Sequence, residues 1–125
     1  MKVSLAYGKG SLDVELHGVK AVVIEPKRQP GLSDECASVF AALDEPIGVK
    51  PLREWLHPDS RICVAFTDLT RPTPNERIIP WLLEYLGRHG VRQEQITLLN
   101  QLGTHRPNTK EELERLLTPS VASRY

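Results

Sequence analysis

Two short turns hold most of the residues in this 125-residue chain that could do chemistry: DLTRPTP, Asp68 to Pro74, and GTHRPNT, Gly103 to Thr109. Each sets an arginine beside a proline, and each directly follows an apolar run. His105 brings an imidazole, whose ordinary protonation equilibrium lies near neutrality, and so is a candidate for proton transfer. Arg71 and Arg106 each offer a planar fork of donors suited to a carboxylate or a phosphate, and backbone N–H groups at the helix starts that follow could add to an anion site. Pro72, Pro74 and Pro107 lower the entropic cost of holding the turns in one shape. Asp68 is open to three roles: accepting from a ligand hydroxyl, orienting Arg71, or pairing with His105. Each residue also has a plainer use. Asp68 can bond its own backbone two residues on, Arg71 can be a solvated surface residue, and His105 an inert turn residue. Arg106 suits a structural pairing with a helix carboxylate.

The elements around the turns decide whether they meet. RICVAFT, residues 61–67, is a near-continuous apolar run bounded by turn residues, which predicts a strand covered on both faces. Ile78, Ile79, Leu82, Leu83 and Leu86 then recur at helical spacing. Pro80 is awkward inside that helix, so it starts either near Pro80 or at Asn75 with a kink. QITLLNQL, residues 95–102, gives another strand. Thr109 with Glu112 forms a capping box for a last helix with Leu113, Leu116 and Leu117 on its buried stripe. Strand, turn, helix, strand, turn, helix is a parallel βαβα unit, expected right-handed. Both turns then leave the C-terminal ends of parallel strands, the edge of an open α/β sheet where ligands bind.

The first half predicts less chemistry. KVSLAY and LDVEL alternate apolar and polar residues around Gly8-Lys9-Gly10, which predicts a β-hairpin with one buried face. VKAVVIE, residues 19–25, reads as a third strand, and residues 26–34 as a loop. Ser33 or Asp34 can cap a helix bearing Val39, Phe40 and Leu43, and PLREWL suggests a short helix with Pro51 in its first turn. His17, His57 and His89 are expected at the surface, and Trp55 and Trp81 in a core or interface.

Composition narrows the partners. Sixteen Lys and Arg balance sixteen Asp and Glu, which argues against nucleic acid. No apolar stretch approaches the ~20 residues of a membrane helix, and the N-terminus lacks a secretory h-region. Cys36 and Cys63 have no metal-type spacing, and Cys63 is expected as a reduced core thiol, which makes a cytoplasmic setting the default. The residues alone describe an anion-binding α/β domain with a candidate proton-transfer histidine.

Together, DLTRPTPN, Asp68 to Asn75, and LGTHRPNTKEEL, Leu102 to Leu113, resemble two motifs of the lactate racemase family, the enzymes that use a nickel-pincer nucleotide. Their order, separation and strand-then-turn setting match, and the resemblance covers nearly all of the chain. It implies an enzyme of two domains with the active site in the cleft between them. The implied cofactor is a pyridinium mononucleotide whose two sulfur arms hold nickel, tethered through a lysine, with a histidine also on the metal. The implied chemistry inverts a 2-hydroxy acid carbon. One histidine takes the hydroxyl proton while hydride passes to the cofactor, and hydride return with a second histidine as acid inverts the centre. By the resemblance, His105 matches one acid/base histidine, and Asp68, Leu69, Thr70 and Arg71 match the cofactor-contacting stretch. Arg71 would face the cofactor phosphate or the substrate carboxylate. The second histidine, the tethering lysine and the nickel-binding histidine fall later in the family's chains than Tyr125. Residues 1–125 are therefore expected to be all or most of an N-terminal domain, inactive alone and completed by a C-terminal part. The competing expectation is a stand-alone, non-catalytic domain that holds a carboxylate or phosphate with Arg71 and Arg106.

Overall fold

The computed structural model describes all residues from Met1 to Tyr125, and the chain divides into two compact units, Met1–Gly31 and Leu32–Tyr125.

The first unit is an antiparallel hairpin of β1, Lys2–Tyr7, and β2, Gly10–Glu15, with Tyr7 opposite Gly10 across a two-residue loop. Gly8 takes φ +58° there, the left-handed conformation that tight hairpin turns need. Val3 faces Val14 and Leu5 faces Leu12. The expected buried face is not formed: Leu5 and Leu12 stay about half exposed, because a two-stranded ribbon has no second layer to cover it. The third strand expected over residues 19–25 is also absent. Val22 and Ile24 are exposed and no ladder includes them. A strand needs a partner edge, and apolar β-branched residues alone do not provide one.

The second unit contains α1, Glu35–Asp44, a 3₁₀ turn, Leu52–Trp55, and β3, Ile62–Thr67. Then follow α2, Asn75–Arg88, a 3₁₀ turn, Gln93–Gln95, and β4, Ile96–Gln101, with α3, Lys110–Leu117, and α4, Pro119–Ala122, last. Asp34 caps α1 by accepting from the Ala37 N–H, and Pro51 precedes its 3₁₀ turn rather than entering it. β3 and β4 are parallel, from Ile62 opposite Ile96 to Thr67 opposite Gln101. α2 begins at Asn75 and contains Pro80, which leaves the Glu76 carbonyl without its usual donor four residues on.

Val64 and Phe66 of β3, Ile96 of β4, Ile79, Leu83 and Leu86 of α2, and Leu117 and Val121 form one core. The helices thus cover one face of the sheet. On the other face Cys63, Ala65, Thr97 and Leu99 are exposed. This overturns two expectations, a doubly covered β3 and a buried Cys63 thiol. The β3 run is apolar on both faces, but within this chain only one face meets a helix layer. Trp55 is exposed, contrary to a core place, and Trp81 is half-buried. His17, His57 and His89 are exposed as expected. No helix is long and apolar enough to cross a membrane.

Candidate functional site

The strand register brings the two turns off the sheet at one level. Thr67 and Gln101 are the last pair, so Asp68 and Leu102 leave together. Both turns close alike: the Arg71 N–H donates to the Asp68 carbonyl at 3.2 Å, and the His105 N–H to the Leu102 carbonyl at 3.0 Å. Gly103 holds φ +58° in the second turn, a conformation that a side chain would strain. Asn75, at the start of α2, is buried and fastens the first turn from beneath. Its Nδ2 donates to the Thr67 carbonyl at 2.9 Å and to Thr67 Oγ1 at 3.2 Å.

Asp68 and His105, 37 residues apart in sequence, meet across this edge. Asp68 is 3% exposed, and its two carboxylate oxygens have different partners. Oδ1 accepts from the Thr70 hydroxyl at 2.8 Å and the Thr70 N–H at 3.3 Å. Oδ2 lies 2.5 Å from His105 Nδ1. The local turn bond and the pairing with His105 therefore coexist, one on each oxygen. Hydrogen bonds from His105 and then Thr70 hold the Asp68 carboxyl below the usual aspartate range, against the opposing push of burial. An ionised Asp68 only accepts, so Nδ1 of a neutral His105 carries the hydrogen. Nε2 is then the basic nitrogen, on a side chain that is 46% exposed. The pair sets a half-exposed imidazole against a buried carboxylate, a geometry that general base catalysis can use.

An open cavity of about 260 Å³ lies over the pair, lined by Asp68, Leu69, Thr70, His105, Arg106 and Asn108. Arg71 is exposed, belongs to the same turn and has no carboxylate partner, but it stands outside that lining. Arg106 donates through both terminal nitrogens to Glu112 on α3, each at 2.8 Å, and also to the Pro107 carbonyl. Its fork is thus occupied, which leaves Arg71 as the cation of the two turns with a free guanidinium. Larger cavities elsewhere offer less chemistry: the one of about 370 Å³ between β3, α2 and the first 3₁₀ turn is lined by aliphatic side chains and Cys63. No three His, Cys, Asp or Glu side chains stand together to hold a metal ion.

The second turn is anchored to α3 through Glu112. Arg106 and then the Thr109 N–H pull its carboxyl from the ordinary 4.5 to about 2. A depressed folded pKa adds stability above pH 4.5 that is lost as pH falls through about 2. Glu112→Gln is therefore expected to lower the urea midpoint at neutral pH and to match the unsubstituted chain below pH 2. A constant difference at every pH would contradict this.

Sequence reasoning offered Asn75 as a helix start but missed its side-chain bonds to Thr67, and it missed the pair in which Asn108 Nδ2 donates to Asn100 Oδ1 at 3.1 Å. An asparagine beside a proline-rich turn is the available signal, but its partners are not local. Asn100 Nδ2 is buried without an acceptor.

A model of the lactate racemase N-terminal domain matches residues 7–125. This chain belongs to the lactate racemase family. The lactate racemase of Lactiplantibacillus plantarum is 34% identical over 115 residues, which is 89% of this chain and 27% of that protein. The lactate racemase of Thermoanaerobacterium thermosaccharolyticum is 28% identical over 116 residues, 90% of this chain and 27% of that one. The structure of the lactate racemase apoprotein from T. thermosaccharolyticum superposes with a TM-score of 0.71 at 26% identity, covering 96% of this chain and 28% of that one. The expected α/β arrangement, hairpin first and parallel β3–α2–β4–α3 after it, is that of the N-terminal part of a lactate racemase structure. The chain spans little more than a quarter of the length of either racemase.

Proposed function

We propose that this region supplies a proton-transfer imidazole, His105, and a cofactor-facing turn, Asp68–Arg71, to a larger enzyme that inverts lactate-like 2-hydroxy acids. The observation that carries the proposal is the contact of His105 with buried Asp68 at the ends of two parallel strands. His105 Nε2 takes the substrate hydroxyl proton, and the Asp68 carboxylate offsets the charge that then develops on the ring. As the O–H bond breaks, the C2 hydrogen leaves with its electron pair and a 2-keto acid forms. Return of both inverts the carbon when the hydrogen reaches the other face, with a second acid outside residues 1–125.

The nickel-pincer nucleotide, when bound, would supply the acceptor and donor for that hydride. The donor set fits its anionic part through the free guanidinium of Arg71, and Leu69 offers an exposed apolar side chain in the lining of the cavity over the pair. It does not fit the metal, because no three ligating side chains stand together here; on this reading the nickel ligands and tethering lysine would come from the remainder of the enzyme. The setting is the cytoplasm, and the partners are a 2-hydroxy acid and the C-terminal part of the same polypeptide.

A non-catalytic anion-binding domain loses one of its two cations to Glu112. Arg71→Ala in the complete, cofactor-loaded enzyme tests the proposal. Loss of a charge-assisted contact of about 1.5–3 kcal/mol raises either the KM for lactate or the cofactor dissociation constant by about ten- to a hundredfold. A higher KM assigns Arg71 to the substrate carboxylate, and weaker cofactor retention assigns it to the phosphate. If both stay unchanged, Arg71 has no part in the site.

A further inference from the structure

We infer that Thr70 is a positioning residue: its hydroxyl fixes the rotation of the Asp68 carboxylate, and through Asp68 the tautomer of His105. The inference rests on the proposed role of His105 as the hydroxyl base, and it assigns Thr70 a task inside the chain in addition to its place in the cofactor-facing turn.

The torsion that rotates an aspartate carboxylate is broad and roughly two-fold, so nothing intrinsic fixes it. At Asp68 the fixing must come from neighbours, because burial removes most of the water that could donate instead. Oδ1 has two donors, both from Thr70. The hydroxyl is the nearer, at 2.8 Å; the N–H, at 3.3 Å, is available with any residue at this position except proline. With Oδ1 held, Oδ2 points across to the second turn and meets Nδ1. The His105 ring makes no other hydrogen bond, and its outer side is open to solvent. Its tautomer therefore depends on one acceptor, whose aim depends on Thr70 and chiefly on its nearer hydroxyl. Thr70→Val keeps the shape and the backbone N–H and deletes the hydroxyl. Thr70→Ser keeps the hydroxyl and deletes a methyl group.

The first readout needs no cofactor and no catalysis. Long-range ¹H–¹⁵N correlation of the His105 ring in the ¹⁵N-labelled chain, at mildly alkaline pH, reports which nitrogen bears the hydrogen. The unsubstituted chain and Thr70→Ser are expected to show the Nδ1–H form, and Thr70→Val a mixture with Nε2–H. The second readout is turnover of the complete, cofactor-loaded racemase. Thr70→Val lowers kcat about tenfold with little change in KM, and Thr70→Ser restores most of it. A Thr70→Val chain that keeps the pure Nδ1–H form overturns the inference, as does a Thr70→Ser chain that loses it. Should Thr70→Val fail to give a native amide spectrum, Thr70→Ala removes the same hydroxyl and is read by the same rule. Failure of the His105 reading looks different: His105→Ala would then leave racemisation intact, while the ring signals still decide what Thr70 does.

Discussion

Replacing His105 with alanine in the complete, cofactor-loaded racemase is expected to lower turnover by about 10²–10⁴-fold, the usual contribution of a positioned acid or base. The KM should change little, because the lost interaction is strongest when the hydroxyl proton is in transit. The fold should survive, since His105 lies on an exposed turn outside the core cluster. The measurement is the initial rate of formation of the opposite lactate enantiomer, normalised to bound cofactor. Both directions should fall, because the proton removed in one is returned in the other. A loss confined to KM would make His105 a binding group.

Asp68→Asn is expected to cost about 10²-fold or more in turnover, through the ring rather than through the fold. The two shapes are nearly identical. Thr70 presents two donors to the position of Oδ1, so the amide oxygen of an asparagine settles there. The amide nitrogen then faces His105 Nδ1. Two donors cannot share that contact, so Nδ1 becomes the acceptor and Nε2 acquires the hydrogen. The base is lost although the imidazole is still in place, and the charge that offsets the protonated ring is lost with it. The same ¹H–¹⁵N ring correlation that tests Thr70 reads the switch directly in the chain. An Asp68→Asn enzyme within about threefold of the original rate would mean that Asp68 serves the turn alone, because losing an acid/base contribution costs far more.

The parallel half of the fold was legible because its signals are local. Ile62–Thr67 and Ile96–Gln101 are apolar runs ended by turn residues. Thr109 and Glu112 carry their capping box within one helical turn, and Asp34 caps α1 by a single bond over the same short span. What failed depended on partners. Residues 19–25 have the composition of a strand and no edge to pair with, and Cys63 sits in an apolar run whose outer face meets no layer.

At the site, residue types and strand-end placement suggested that the turns were neighbours. They left the role of Asp68 open among several uses. What brings Asp68 to His105 is the register, Thr67 opposite Gln101, which levels the two turns. Periodicity does not specify register between strands separated by a helix. The turn-holding bonds of Asn75 and of the Thr70 hydroxyl escaped notice for a related reason: polar side chains that hold a turn show nothing in spacing or hydropathy. Arg106 was readable, since its partner Glu112 lies only six residues on.

The most direct test of the central claim follows the hydrogen on carbon. His105 is assigned the proton on the substrate hydroxyl and not the one on C2. Lactate carrying deuterium at C2 should therefore be inverted in ordinary water by the complete, cofactor-loaded enzyme with the label kept on carbon, and His105→Ala should stop the inversion. Loss of the label to solvent during inversion would mean that a base removes the carbon-bound proton, and His105, held by Asp68, could not then be the base for the hydroxyl alone.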